Sequence, residues 1–250
     1  MIEGVLCDLS GVLYVGDQVV PGARDAIISL AAAGMPVRFM TNATRTPKKR
    51  ILQNLSGMGL EVAEADLFTP VMAARSYIRE HDLGPHLLVH PNIQAELADL
   101  ASSEPNAVLM GDAGHAFTYE SMNAAFRVLI EGAPLLAMGN NRYFQERDGL
   151  SLDLGPFVRA LEYAVGTHAV VVGKPAPEFF LAAVRSIGVD PARVVMLGDD
   201  HEADVDGALA AGLQGILVRT GKYRPGDEDR LRHPGARVFD DIAAATDEIL

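Results

Sequence analysis

Short apolar runs that end on a polar or glycine-bearing turn alternate with amphipathic stretches along this chain, and few architectures accept that pattern. Val5-Leu6-Cys7 closes on Asp8, in the stretch Gly-Val-Leu-Cys-Asp-Leu-Ser-Gly. An amphipathic stretch over 23–33 follows, with Ala26, Ile27 and Leu30 at helical spacing and Gly34 as its stop. A second apolar run, 36–40, closes on Thr41-Asn42-Ala43-Thr44, and Thr46-Pro47 opens a helix with Ile51, Leu55 and Met58 on one face. The chain thus begins β-α-β-α with short connections, which predicts a parallel sheet covered by helices on both faces.

The pattern continues. Thr69-Pro70 begins a helix running to about residue 81; strands are expected over 86–90, 107–110 and 135–138, and helices over 93–100, 119–130 and 156–164. A stretch rich in Asn, Arg, Gly and Asp, 139–155, reads as a loop. A strand over 169–172 leads into Gly173-Lys174-Pro175 and a helix over 178–187. The run 194–197 ends on Gly198-Asp199-Asp200, followed by a helix over 203–211, a strand over 214–218, a polar loop over 220–234 and a terminal helix over 241–250. The expected fold class is α/β: a Rossmann-like parallel-sheet core from 1–80 and 173–250, with an inserted α/β cap over 81–172.

Composition narrows the partners. The chain is 49% hydrophobic, enough for a substantial core, yet runs such as 169–172 fall far short of a membrane span. The formal charge is −12, and Lys48-Lys49-Arg50 is the only basic run, which argues against nucleic acid or an anionic membrane as partner. A small anionic substrate remains compatible if the site brings its own cations. The single cysteine, Cys7, forms no internal disulfide and reads as a core residue of the first strand. No basic region or cleavable apolar segment precedes that strand, so no signal peptide is read and a cytoplasmic location is expected.

Four strand ends carry chemistry, and in a doubly wound sheet the carboxyl ends converge on one crevice. Asp8 follows the first strand, where a carboxylate can act as a nucleophile and a metal ligand, though the same residues also suit an ordinary turn. Thr41-Asn42 follows the second strand and reads equally as a helix-entry turn. Lys174 taken alone reads as a surface lysine. Asp199, Asp200 and Asp204 repel one another unless a cation neutralises them, but an acidic helix N-terminus is the other reading. Together they match the needs of phosphoryl transfer. Asp8 is the nucleophile, Asp8 and Asp199 are the ion's ligands, Thr41 and nearby amides are donors for the phosphoryl oxygens, and Lys174 is the fixed cation. Hard oxygen ligands point to Mg²⁺ rather than zinc.

These motifs in this order, Asp8-Leu9-Ser10-Gly11, Thr41-Asn42, Gly173-Lys174-Pro175 and Gly198-Asp199-Asp200 with Asp204, resemble the haloacid dehalogenase superfamily. The insertion, the tail from Gly215 to Tyr223 and the stretch 149–163 are similar to its subclass with a large α/β cap. Within that subclass the chain most resembles the group holding phospholysine/phosphohistidine/inorganic-pyrophosphate phosphatase. The resemblance spans essentially the whole chain and implies an aspartyl-phosphate on Asp8. It further implies Mg²⁺ ligation by the Ser10 backbone carbonyl beside Asp8 and Asp199, and a role for Asp204 in holding either the metal's water shell or Lys174. Thr41 and the Asn42 amide would bind the phosphoryl oxygens. It implies a small phosphorylated substrate and, through the cap, a homodimer.

One departure from the family pattern stands out. Most phosphatases of this superfamily carry a second Asp two residues after the nucleophile as general acid and base, and here that position is Ser10. General acid–base catalysis contributes about 10²–10⁴-fold, so Ser10 is expected to favour substrates whose leaving group needs little help: pyrophosphate, phosphoramidates, aryl or acyl phosphates. A general sugar-phosphate or nucleotide phosphatase is the alternative within the enzyme class. A catalytically weak phosphate-binding regulatory protein is the alternative outside it. Arg142, Tyr143 and Arg147 are candidates for substrate contact, or ordinary surface residues. His86, His90, His115 and His201 lack metal-site spacing and read as structural or surface residues. Gly173-Lys174 is followed by Pro175 where a P-loop needs Ser or Thr, which excludes an ATP-binding loop.

Overall fold

The structure, a computed structural model, describes residues 1–146 and 149–250. The chain divides into two compact units: Met1–Thr41, Lys48–Phe68 and Lys174–Leu250 form one, and Asn42–Pro47 with Thr69–Gly173 the other. The first unit opens with β1 (Gly4–Asp8), a small hairpin of β2 (Tyr14–Val15) and β3 (Gln18–Val19), and α1 (Ala23–Ala32). It continues through β4 (Val37–Met40), α2 (Lys48–Gly57) and β5 (Leu67–Phe68). Every residue of β1 is buried, which explains why its sequence is apolar without alternation: both faces of the sheet are covered.

The second unit begins with α3 (Pro70–Glu80), entered through Thr69, whose hydroxyl accepts from Met72 N at 3.4 Å, and Pro70 at the first helical position. There follow β6 (Pro85–Leu88), α4 (Pro91–Leu97), β7 (Ala107–Met110), α5 (Tyr119–Leu129) and β8 (Leu135–Ala137). Then come β9 (Tyr143–Glu146), β10 (Gly149–Leu152), α6 (Leu154–Val165) and β11 (Val170–Val171). Its parallel sheet, in the order β11-β8-β7-β6, is packed on both faces. Leu109 and Leu136 join Val71, Ala74, Ile78, Ile93 and Leu97 of α3 and α4. Val108, Met110, Leu135 and Ala137 point the other way, against Ala125 and Leu129 of α5 and Leu154, Val158 and Leu161 of α6. This alternation makes a three-layer unit.

Two sequence expectations differ here. The helix over 70–81, expected with the core, groups with the second unit because its stripe Val71, Ala74 and Ile78 is buried against α4 and the second sheet. The expected loop over 139–155 contains the antiparallel pair β9–β10, with Tyr143 opposite Leu152 and Phe144 opposite Ser151.

The chain returns to the first unit through α7 (Pro177–Ile187), β12 (Val194–Gly198), α8 (Gly207–Ala210), β13 (Gln214–Val218), β14 (Arg237–Phe239) and α9 (Ile242–Ile249). The sheet order is β14-β13-β12-β1-β4-β5, parallel throughout. The expected helix over 203–211 is a shorter α8 preceded by a π-turn, His201–Asp206, in which Val205 N reaches the Asp200 carbonyl at 3.3 Å. Such wide turns recur at functional sites. Among the described residues no helix is long and apolar enough to cross a membrane.

Candidate active site

In the first sheet β1 lies between β12 and β4, so the strand order reverses about it and the carboxyl ends of all three strands lie side by side. Asp8 ends β1 opposite Met40, Thr41 follows β4, and Asp199 follows β12, whose Leu197 pairs with Cys7. Asp8, Asp199 and Asp204 are each buried, and each offers a carboxylate oxygen within 4.8 Å of the others. Among the described residues they form the one such group of acidic, histidine or cysteine ligands.

Lys174, read alone from sequence as a surface residue, is only 3% exposed. Its ammonium donates to Asp8 Oδ1 and, at 2.5 Å, to Asp204 Oδ1. Burial opposes its charge, but the carboxylates of Asp204 and Asp8 outweigh burial and raise its pKa, so it stays protonated. One ammonium does not neutralise three buried acids. Burial, then the charges of Asp8 and Asp204, push Asp199 well above the usual carboxylate range. Burial lifts Asp204 to about 7 despite the attraction of Lys174. This set of carboxylate oxygens could hold a hard divalent cation, and its donor chemistry fits Mg²⁺. Within it Asp204 serves Lys174 directly, while its Oδ2 accepts from Asp200 N at 3.2 Å.

Asp200, next to the cluster, is neutralised separately. Its Oδ1 accepts from Glu202 N (3.1 Å) and Ala203 N (3.0 Å), and its Oδ2 lies 3.4 Å from Lys222 Nζ. Burial would raise its pKa, but Lys222 and the Ala203 amide outweigh burial and hold it below the ordinary value.

Sequence reasoning took the segment that follows β13 as part of the family resemblance, Gly215 to Tyr223, and gave its residues no place at the site. Lys222 N donates to Asp199 Oδ2 at 2.6 Å, and the Thr220 hydroxyl donates to the Gly11 carbonyl. Gly11 and Gly221 have φ of +101° and +61°, and a Cβ at either would lie 1.9 and 2.1 Å from Asp199 Oδ2. Only glycine lets both turns close on that carboxylate. Position was the available signal, since Thr220-Gly221-Lys222 comes just after a strand of the same parallel sheet.

The other expected residues fall as follows. Thr41 is buried at the sheet edge, its amide donating to the Phe68 carbonyl at 3.2 Å. Asn42 begins the second unit, where its Oδ1 lies 3.3 Å from where a Cβ of Gly173 would sit. Ser10 is exposed and bridges to Tyr14 through its backbone. Arg142 is exposed, Tyr143 is 47% exposed at the start of β9, and Arg147 lies outside the described residues. His90 caps α4, accepting from Asn92 N at 3.2 Å. His201 sits 3.9 Å from Asp227.

Comparison with known proteins adds the family. A family model described as haloacid dehalogenase-like hydrolase matches residues 5–101, and a second model of HAD-hydrolase-like proteins matches 171–245. The human haloacid dehalogenase-like hydrolase domain-containing protein 2 is 44% identical over 249 residues, covering 100% of this chain and 96% of the relative. The phospholysine phosphohistidine inorganic pyrophosphate phosphatase of Rattus norvegicus is 41% identical over 258 residues, covering 100% of this chain and 94% of the relative. Among solved structures, a 4-nitrophenylphosphatase from Thermotoga maritima superposes with a TM-score of 0.91 at 24% identity, covering 100% of this chain and 98% of that one, a likeness of fold.

Proposed function

The chain belongs to the haloacid dehalogenase-like hydrolases, and from that premise we propose that it is a Mg²⁺-dependent phosphatase working through a phosphoryl group carried on Asp8. Its substrates are small phosphorylated compounds with good leaving groups: pyrophosphate, phosphoramidates, aryl or acyl phosphates. The observation that carries the reading is the buried set of Asp8, Lys174, Asp199 and Asp204 at the carboxyl edge of the first sheet. A pure phosphate binder has no use for a buried carboxylate aimed at the same anion, because like charges repel. The phosphatase name of one 41% identical relative supports the substrate class.

In this reading an Asp8 carboxylate oxygen attacks phosphorus. The bond from phosphorus to the leaving oxygen or nitrogen breaks, with its electron pair going to the leaving atom, which takes a proton from water. Water then attacks the phosphorus of the aspartyl-phosphate, the bond to Asp8 breaks, and orthophosphate leaves. Lys174 orients Asp8 through its hydrogen bond and offsets the charge of nucleophile and phosphoryl group. The Thr41 hydroxyl donates to a phosphoryl oxygen. Mg²⁺, held by Asp8, Asp199 and the Ser10 carbonyl with Asp204 behind them, would supply the remaining charge neutralisation at the phosphoryl oxygens.

Ser10 has no carboxyl proton to give a leaving group, which is why good leaving groups are favoured. The test is phosphate release from p-nitrophenyl phosphate, pyrophosphate, imidodiphosphate and a hexose phosphate, with Asp8→Asn as control and Ser10→Asp as the restored acid. The first three should turn over in the wild type, with the control inactive, and Ser10→Asp should gain most on the hexose phosphate, up to the roughly 10²–10⁴-fold of general acid catalysis. Equal gains on all four substrates, or none, contradict the role of Ser10. Turnover by Asp8→Asn contradicts the nucleophile.

A further inference from the structure

Asp200 follows Asp199 directly and precedes a third acid, Asp204, yet it stands outside the cluster of carboxylate oxygens. Hydrogen bonding accounts for this. Its Oδ1 is taken by the amides of Glu202 and Ala203, which begin the π-turn. Its Oδ2 faces the ammonium of Lys222, whose own backbone N–H holds Asp199 Oδ2. One residue thus touches two neighbouring acids with two different groups: its amide fixes Asp199, and its side chain restrains Asp200. The Lys222 side chain is 48% exposed and that of Asp200 23%, so their pairing is accessible to water.

We propose that Lys222 is a positioning residue that sets ion selectivity, holding Asp200 away from the Asp8–Asp199–Asp204 site so that Mg²⁺ is preferred over Ca²⁺. Mg²⁺ demands a compact octahedron and keeps several waters, whereas Ca²⁺ takes six to eight oxygens in flexible geometry, roughly up to two more than Mg²⁺. A further carboxylate oxygen delivered by Asp200 therefore benefits the larger ion more than the smaller. The Asp199 contact is made by the backbone of residue 222, so it survives a change of side chain, and the two actions of Lys222 are separable. The inference rests on the reading of Asp8, Asp199 and Asp204 as a divalent-cation site.

The test is calorimetric titration of Mg²⁺ and of Ca²⁺ into the metal-free full chain, for wild type, Lys222→Met, Lys222→Arg and Lys222→Met/Asp200→Asn. Lys222→Met should shift the ratio of Ca²⁺ to Mg²⁺ affinity toward Ca²⁺ by on the order of tenfold, the lower end of what groups behind the ligands produce at metal centres. Lys222→Arg should keep the wild-type ratio, and the double variant should restore it. A fold lost in Lys222→Met would show in the circular dichroism spectrum and would contradict the separation of side chain from backbone on which the proposal stands. An equal gain for both ions would mean that the lost positive charge acts through long-range attraction alone, which overturns the proposal. So would a ratio that Asp200→Asn does not restore. If the wild type binds neither ion, the metal site itself is refuted and this inference with it; if it binds Mg²⁺ with a ratio that Lys222→Met leaves unmoved, this inference alone fails.

Discussion

At the scale of the residue, Lys174 is the cation on which two buried carboxylates depend. Its ammonium is buried between Asp8 and Asp204, and removing it leaves two buried carboxylates without their cation. Breaking a buried pair in this way costs about 3–5 kcal/mol. Lys174→Met is therefore expected to lose about that much stability in urea unfolding, and all turnover. Unfolding at wild-type denaturant concentration would contradict the geometry described. The types and order of Asp8, Thr41, Lys174 and Asp199 were legible in the sequence because each ends or follows a recognisable element. The burial of Lys174 was not, since a lysine in a Gly-Lys-Pro turn carries no local mark of the two carboxylates that enclose it. Nor was the fate of Asp199, Asp200 and Asp204. Charge repulsion announced that something must offset them, and each acid has its own contacts: Lys174 for Asp204, the Lys222 side chain and two amides for Asp200, and only the Lys222 amide for Asp199.

At the scale of the element, the segment after β13 is tied to the π-turn at several points. Asp206, buried, accepts from Arg232 N at 2.9 Å and from His233 N at 3.3 Å, and Arg232 reaches Glu202 at 3.2 Å. Asp206→Ala removes the acceptor shared by those amides of two exposed residues, and a typical hydrogen bond contributes about 0.5–1.5 kcal/mol net. The substitution should lower stability by that amount in denaturant titration, and an unchanged midpoint would mean that water replaces the carboxylate. Helices with a clear apolar stripe and buried central strands were read from the sequence at nearly their observed limits. The elements that escaped are β2, β3, β5, β14 and the β9–β10 hairpin, strands of two to four residues. A strand that short has too few residues to display a period, and its existence is decided by the neighbour it pairs with. The π-turn is hidden for a similar reason, because a wide turn and an α-helical turn share the same apolar spacing over so few residues.

At the scale of the whole molecule, the parallel sheets and their helical layers follow from the order of elements, but membership of a unit does not. The helix α3 has an ordinary amphipathic stripe, and only its packing against α4 and the second sheet assigns it. Function at this scale couples to stability. Three buried carboxylates with one ammonium leave excess negative charge in the metal-free protein, so a bound divalent ion stabilises the native state. The melting temperature should rise with Mg²⁺, by the equivalent of about 2.7 kcal/mol at one hundred times Kd. Asp199→Asn should melt higher than wild type in chelator and no longer respond to Mg²⁺. A wild type indifferent to Mg²⁺ would count against the metal site.

The most direct measurement is mass spectrometry of the protein quenched in acid during turnover of p-nitrophenyl phosphate with Mg²⁺. A transient adduct of one phosphoryl group is expected, mapped to Asp8 by peptide digestion and absent from Asp8→Asn. Turnover that proceeds with the phosphoryl group on another residue, or undiminished in Asp8→Asn, would contradict Asp8 as the nucleophile.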